Sequence, residues 1–104
     1  MTLEQHFKAP VRLGRRRADQ FGHLVMTDTT IRFCGAMDLS VAWSEVDAVR
    51  REGHEIVISL QNSRRAFRFW CQSYSEAAVG EVIAQSLMQA ARTSANPGTA
   101  HAAV

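Results

Sequence analysis

The chain has few cysteines and no long apolar run, and both shortages exclude classes of protein. Its 104 residues include two cysteines, Cys34 and Cys71, which are far apart and in no Cys-x-x-Cys spacing. This pattern gives little support to a disulfide framework or a structural zinc site. No stretch approaches the roughly 18 apolar residues of a membrane span, and the start lacks the apolar segment of a secretory signal. We expect reduced thiols, no transmembrane segment and a cytoplasmic location, with peripheral membrane association left open.

Motifs for catalysis or cofactor binding are also missing. The four histidines follow no His-Glu-x-x-His or His-x-His spacing, no glycine-rich phosphate-binding loop is present, and no serine lies in a nucleophile-elbow context. The side chains that could bind a metal come singly from separate predicted elements: Cys34, Cys71, His23 and His54. We therefore expect no catalytic residue, no metal site and no cofactor.

Positive charge is concentrated near the start of the chain. The whole sequence has 12 Lys and Arg against 10 Asp and Glu. Residues 1–20 carry a net charge of +3 and the remainder carries −1, because the early cations are clustered: Lys8, Arg12, Arg15, Arg16 and Arg17. Duplex binding requires several phosphate contacts from a broad basic face. The charge pattern therefore disfavours a nucleic-acid partner and points to a local anion-binding segment.

The apolar content supports one compact core. At 46% apolar residues and 11.6 kDa, the chain can bury about 65% of its unfolded surface. The residues after 92 are small or polar and offer nothing large to offset the entropy of ordering. We expect a single domain over residues 1–92 and a disordered tail over residues 93–104.

Period-two alternation of apolar and polar residues predicts strands from Phe21 to Cys71. Turn residues separate six segments: 22–27, 30–34, 39–43, 46–52, 55–60 and 65–71. A weaker first strand over residues 10–17 would complete the sheet. The alternation places one set of side chains in the core: Ile31, Phe33, Val41, Trp43, Ile56, Ile58, Phe67 and Phe69. Trp70 then points away from the interior, towards the rim or a protein contact.

The pattern becomes helical after the last strand. Ser73 and Glu76 have the spacing of a capping box, which predicts that a helix begins there. An apolar stripe follows at helical spacing: Val79, Val82, Ile83, Leu87 and Ala90. Of these, Val79, Ile83 and Leu87 are expected to close the core. A cation such as Arg92 is stabilising near the negative, C-terminal end of the helix dipole, so the helix should end near Arg92.

These elements together resemble a known superfold. The residues from Gly22 to Phe33, the strand from Leu39 to Trp43, the steps Val46 and Val49, and the run Gly53 to Ile58 are similar to the GRAM and bacterial PH-like pattern. The resemblance covers about residues 11–92. It implies a mainly β fold: a pleckstrin-homology-like bent antiparallel β-barrel of six or seven strands capped by one amphipathic C-terminal helix. Residues 74–92 lack the Trp usual in eukaryotic signalling PH domains, which favours the GRAM or bacterial side.

The resemblance also suggests a binding segment. Lys8 followed by Arg15-x-Arg17 is similar to the basic pattern of PH domains that bind inositol phosphates. We therefore take the tentative ligand- or partner-binding residues to be Arg12, Arg15, Arg16, Arg17 and Trp70. The alternative is a solvated edge strand, on which cations prevent sheet-to-sheet aggregation.

A triple alanine change at Arg15, Arg16 and Arg17 tests the basic segment. If the segment binds anions, the change should abolish binding to acidic liposomes or an acidic partner, because it removes three charges. Folding should change little, since exposed charges contribute little to stability. Binding by the unaltered protein should also fall steeply with added salt, because exposed charges are screened over about 10 Å at 0.1 M. Intact binding by the folded variant would leave only the edge interpretation.

A second resemblance concerns cyclic dinucleotides. Arg12-x-x-x-Arg16 and Asp38-x-Ser40 are similar to the two halves of the PilZ signature, although Trp43 stands where that signature has glycine. The main hypothesis is a non-enzymatic binding or scaffold module that acts through a protein partner or an acidic phospholipid head group. The alternatives are a PilZ-like cyclic-dinucleotide sensor and a phospholipid-surface binding domain. The sequence leaves homo-oligomer formation open.

Overall fold

The computed structural model describes residues 5–14, 20–35 and 37–94. Within them the chain forms seven strands, one short 3-10 helix at Trp43–Glu45, and a C-terminal helix, α1, at Tyr74–Ser94. All strand pairs are antiparallel, and the order in the sheet is β4-β3-β2-β1-β7-β6-β5. The strand bounds are β1 Gln5–Leu13, β2 Phe21–Thr27, β3 Thr30–Gly35, β4 Asp38–Ala42, β5 Val46–Glu52, β6 Glu55–Leu60 and β7 Ala66–Cys71. The predicted class, a mainly β fold with a PH-like bent sheet and one C-terminal helix, is confirmed.

The first strand differs from its predicted bounds of 10–17. It begins at Gln5 and ends at Leu13, and Gly14 follows with a φ of +79°, a conformation that ends the extended run. Pro10 lies inside this strand. Gly14 donates its N–H to Arg68 on the β7 side, so alternation turns the nitrogen of Pro10 to the same side. The β1–β7 pairing covers only Val11 to Leu13, and the missing N–H of Pro10 therefore breaks no ladder bond.

Two glycines allow β2 and β3 to approach closely. Gly22 and Gly35 are partners in the register of these strands. A Cβ added at Gly22 would lie 2.4 Å from the carbonyl oxygen of Cys34 and 2.8 Å from Cα of Gly35. Real Cβ atoms do not tolerate such distances, so the sheet can keep this shape only where the side chain is absent.

The interior of the bent sheet holds the predicted aromatic core. Phe33 on β3 and Phe69 on β7 face each other with ring centroids 6.2 Å apart. Trp43 is fully buried, and its indole N–H donates to the carbonyl of Thr27 at 2.8 Å. The other predicted core residues of the strands are also buried: Ile31, Val41, Ile56 and Ile58. Phe67 is partly buried and packs against this core.

The predicted closing face of α1 is confirmed for Ile83 and Leu87, which pack against the core, and is wrong for Val79. Val79 and Val82 are 52% and 65% exposed, and Ala90 is also exposed. The buried face has the same helical period and consists of three small residues and one methionine: Ala77, Gly80, Ala84 and Met88. Ile83 and Leu87 are partly buried beside this face. A Cβ added at Gly80 would lie 2.5 Å from Cδ1 of Ile56. The helix therefore packs close to the sheet, because its contact residues are small.

Both ends of α1 are fixed by hydrogen bonds. At its start, Ser73 Oγ accepts from the Glu76 N–H at 3.1 Å, as the capping box predicts. Further along, Gln85 donates to the carbonyl of Val49 at 3.1 Å and Arg92 donates to that of Asp47 at 2.6 Å. These carbonyls belong to β5, at one end of the sheet, so the helix covers part of that edge. The helix continues to Ser94, and the rest of the predicted tail lies outside the described residues.

Candidate ligand-binding groove

Two of the predicted site residues lie side by side on the outer face of the sheet. Arg12 on β1 and Trp70 on β7 are partners in the strand register. Their neighbours Val11 and Cys71 are buried, so alternation directs Arg12 and Trp70 outwards. The guanidinium carbon of Arg12 lies 5.4 Å from the centroid of the Trp70 ring, within range of a cation–π interaction. Arg15, Arg16 and Arg17 lie outside the described residues, and their role remains a prediction.

The edge-strand interpretation of the basic segment is wrong for Arg12. β1 pairs with β2 on one side and with β7 on the other. Arg12 has a register partner on each, Phe21 and Trp70. At this position β1 is paired on both sides, so it has no free edge at which another sheet could add and which a cation would need to block. The charge of Arg12 therefore needs another explanation.

A groove of about 550 Å³ runs along this face. We call it the Trp70 groove, and its lining consists of Pro10, Val11, Arg12, Phe21, Gly22, His23, Trp70 and Gln72. Phe21 is 62% exposed and Trp70 is 42% exposed. Within residues 5–14, 20–35 and 37–94, no acidic residue lines the groove and the buried Arg12 Nε has no hydrogen-bond partner. The described part of the groove thus combines exposed aromatic surface with one cation that has no acidic partner there.

Sequence reasoning missed Phe21, although the signal was present. Leu24 and Met26 alternate with less buried neighbours in the predicted strand 22–27, and both are fully buried. On the same strand the odd-numbered residues must then face outwards. That alternation assigns the aromatic Phe21 to the solvent side, where an exposed ring has no role in the core.

A row of aromatic and charged side chains continues from Trp70 to the start of α1. The His54 ring centroid lies 5.6 Å from that of Trp70 and 6.3 Å from that of Tyr74. The Arg51 guanidinium carbon lies 4.2 Å from the Tyr74 ring centroid, and Arg51 Nε pairs with Glu81 at 3.3 Å. Trp70 therefore contacts both Arg12 and His54 beside the groove.

The other arginines near this face carry acidic partners. Glu52 accepts from Arg68 Nη1 and from Arg50 Nε, each at 2.9 Å. These two arginines, Arg68 foremost, lower the pKa of the Glu52 carboxyl. Arg51 is paired with Glu81. Within the described residues Arg12 has no such partner, which distinguishes it from these cations.

A shallower groove of about 330 Å³ adjoins the first at Pro10, which lines both. Its other lining residues are Phe7, Lys8, Ala9, Ser75, Glu76 and Val79. The exposed Val79, which the sequence assigned to the core, lines this second groove. The Trp70 groove and this second groove therefore share Pro10 on β1 as a lining residue.

The structure gives no support to a metal centre in the residues that it describes. Residues 5–14, 20–35 and 37–94 contain no group of three or more His, Cys, Asp or Glu side chains that could hold an ion. Cys71 is fully buried, and burial raises the pKa of its thiol to about 11, with a further contribution from Glu76. In this part of the chain, no helix combines the length and apolar character that crossing a membrane requires.

The two half-motifs for a cyclic dinucleotide are not brought together. Arg12 lies on β1, whereas Asp38 and Ser40 lie on β4, with β2 and β3 between them. Trp43 occupies the fully buried core and cannot leave room for a ligand there. The arrangement therefore favours the Trp70 groove over a PilZ-like site.

Comparison with known proteins shows the fold and not the family. No protein-family model matches the chain, and no curated protein matches its sequence. A solved structure, the FERM and C-terminal domain complex of Drosophila Merlin, contains a similar fold with a TM-score of 0.71 and 14% sequence identity. The match covers 89% of this chain and 32% of that chain, so this chain spans about a third of its length. The likeness supports a PH-like fold.

Proposed function

We propose that this chain is a non-enzymatic binding module of GRAM-type, PH-like fold that presents the Trp70 groove to a protein partner. The observation that carries the proposal is the pair of exposed aromatic side chains, Phe21 and Trp70, lining one groove with Arg12. Trp, Phe and Arg are enriched at protein interfaces, and Trp and Arg dominate their binding energy. The stability of the fold alone gives no reason to expose the aromatic side chains Phe21 and Trp70 in a groove that also contains the Arg12 cation.

The groove is suited to binding because its walls are preformed. Its lining residues belong to β1, β2 and β7 or directly follow β7, and β1 is hydrogen-bonded to both other strands. Trp70 is held by its contacts with Arg12 and His54. A ligand that enters a fixed groove pays little to order it, so more of the contact energy appears as affinity.

The proposal favours a protein over a lipid head group. Stable attraction to an anionic membrane usually draws on clusters of roughly four to eight Lys or Arg beside the surface. Among the described lining residues of the Trp70 groove, Arg12 is the one Lys or Arg, and it lies beside the exposed aromatic side chains Phe21 and Trp70. The Merlin structure is itself a complex between protein domains, which supports partner binding as a use of this fold.

Affinity capture with single-residue variants tests the proposal. The wild-type chain is expected to capture a partner from a lysate of the source cell. Trp70→Ala should lower the captured amount of that partner about tenfold or more, because truncating an interface Trp costs about 2 kcal/mol or more of binding free energy. Val82→Ala is the matched control, since Val82 is also apolar and 65% exposed but lies on α1 outside the groove.

Quantitative mass spectrometry of the captured proteins is the measurement, and thermal melting confirms that both variants are folded. Equal capture by wild type and Trp70→Ala would contradict the proposal. Loss of capture with Val82→Ala and not with Trp70→Ala would move the interface to α1.

A further inference from the structure

We infer that the Trp70 groove receives an extended acidic segment of its protein partner, in which one carboxylate accepts hydrogen bonds from the Arg12 guanidinium. This inference rests on the proposed function and names the chemistry of the partner. It follows from the charge, the burial and the spacing of residues on the outer face of β1.

The first step concerns the unsatisfied donor. Arg12 Nε is buried and has no acceptor among the described residues. Buried N–H groups, above all those of charged side chains, are normally hydrogen-bonded. The cation–π contact with Trp70 holds the guanidinium through its charge and uses none of its N–H groups. Within the described residues the buried Nε of Arg12 is left without an acceptor, and an acceptor from outside can complete the hydrogen bonding of the guanidinium.

The second step concerns the kind of acceptor. The guanidinium presents its N–H groups as a planar fork, and a carboxylate matches that fork with two parallel hydrogen bonds. Among the described residues no acidic side chain lines the groove, so none of them competes for the guanidinium. Nearby, Arg50 Nε and Arg68 Nη1 each donate one hydrogen bond to the Glu52 carboxylate, at 2.9 Å. Arg12 has no carboxylate partner among the described residues, and a partner carboxylate completes its hydrogen bonding.

The third step concerns the shape of the ligand. Lys8, Pro10 and Arg12 alternate along β1 with the buried Phe7, Ala9 and Val11, so all three face outwards. At about 3.4 Å per residue, Lys8 and Arg12 are about 14 Å apart along the strand. The two grooves meet between them at Pro10. An extended segment along this line can place an apolar side chain against Phe21 and Trp70 and an acidic group near Arg12, in the groove that has no described acidic residue.

A peptide selection identifies the preferred chemistry without assuming a sequence. The probe is a random dodecapeptide library displayed on phage, selected on the wild-type chain after removal of phage that bind the Trp70→Ala variant. We expect the enriched peptides to contain Asp or Glu beside an aromatic or large apolar residue. The best peptide is then synthesised with its acidic residues intact and with each Asp or Glu changed to Asn or Gln.

Fluorescence anisotropy measures the affinity of both peptides for the variants. Arg12→Gln should weaken the acidic peptide about tenfold or more, and Arg12→Lys should weaken it less because the charge remains. Arg32→Gln is the matched control: Arg32 is an exposed cation on β3 outside the groove, and its removal should change affinity less than twofold. The neutralised peptide should bind the wild-type chain weakly, and Arg12→Gln should lower its affinity little further. This result is required if Arg12 and the acidic residue of the peptide interact with each other.

The outcomes separate the two proposals. Peptides that require Trp70 but contain no acid, or that tolerate Arg12→Gln, would overturn the acidic segment and leave the proposed function standing. A selection that yields no peptide dependent on Trp70 would contradict both. Vesicles of phosphatidylcholine and phosphatidylserine supply the third arm: vesicle binding that Arg12→Gln abolishes, with no peptide selected, would overturn the acidic segment in favour of a lipid head group.

Discussion

Replacing Phe69 with alanine is expected to lower the free energy of unfolding by about 3 to 5 kcal/mol, the range for truncating a buried Phe. Phe69 is 2% exposed and lies on β7, between β1 and β6. Its ring centroid is 6.2 Å from that of Phe33 and 6.4 Å from that of Phe67. The change removes the ring that joins both halves of the bent sheet, and the surrounding strands can close the cavity only in part.

Urea unfolding followed by circular dichroism measures this loss. Small domains are stable by only about 5 to 15 kcal/mol, so the variant should unfold at a much lower urea concentration. Phe21→Ala is the control, because Phe21 is 62% exposed and its truncation should change stability by about 0.5 kcal/mol or less. A loss below about 1 kcal/mol for Phe69→Ala would show that the ring is not in the core.

Gly22→Ala is expected to destabilise the fold by about 3 kcal/mol, at the upper end of the usual range for overpacking. The added methyl group would lie 2.4 Å from the Cys34 carbonyl oxygen and 2.8 Å from Gly35 Cα, and both are backbone atoms. No side-chain rotation can relieve such a contact, so β2 and β3 must separate. Gly22 also lines the Trp70 groove, and the same movement should therefore alter ligand binding.

Thermal unfolding measures the effect of Gly22→Ala, with Ser40→Ala as the control. Ser40 is exposed on β4, and its variant should melt within a few degrees of wild type because surface changes are usually small. If Gly22→Ala and Ser40→Ala have the same melting temperature, the close approach of β2 and β3 is not a feature of the folded protein.

The strands could be predicted because each carries its own signal. In β3, Ile31 and Phe33 are buried while Arg32 is exposed, and the period of two follows from the backbone alone. The bounds of β1 were less accessible. Pro10 lies inside that strand, and its effect depends on where the pairing with β7 begins, which no local pattern reveals.

The contact face of α1 could not be read from large apolar residues. Val79 and Val82 fit a helical stripe, yet Ala77, Gly80 and Ala84 are the residues that lie against the sheet. Both sets obey the helical period, so periodicity alone does not choose between them. The choice depends on how closely the helix approaches Ile56, and that distance is set by the whole fold.

The groove was predicted only as separate residues. Arg12 and Trp70 were both proposed for binding, but their contact depends on the register between strands that are far apart in sequence. The segment containing Arg15, Arg16 and Arg17 had the stronger charge signal, whereas the geometry that singles out Arg12 is a buried donor beside an aromatic ring. A pairing of distant strands creates that environment, and sequence composition does not encode it locally.

Site-specific photocrosslinking in the source cell tests the central claim, that the Trp70 groove is the binding surface, most directly. A benzophenone amino acid is placed at Phe21 in one variant and at Val82 in another, and both residues are exposed in the free chain. The account predicts a discrete crosslinked protein from Phe21 that disappears when Trp70→Ala is added, and no corresponding product from Val82. Crosslinking from Val82 alone, or a Phe21 product that is unchanged by Trp70→Ala, would contradict it.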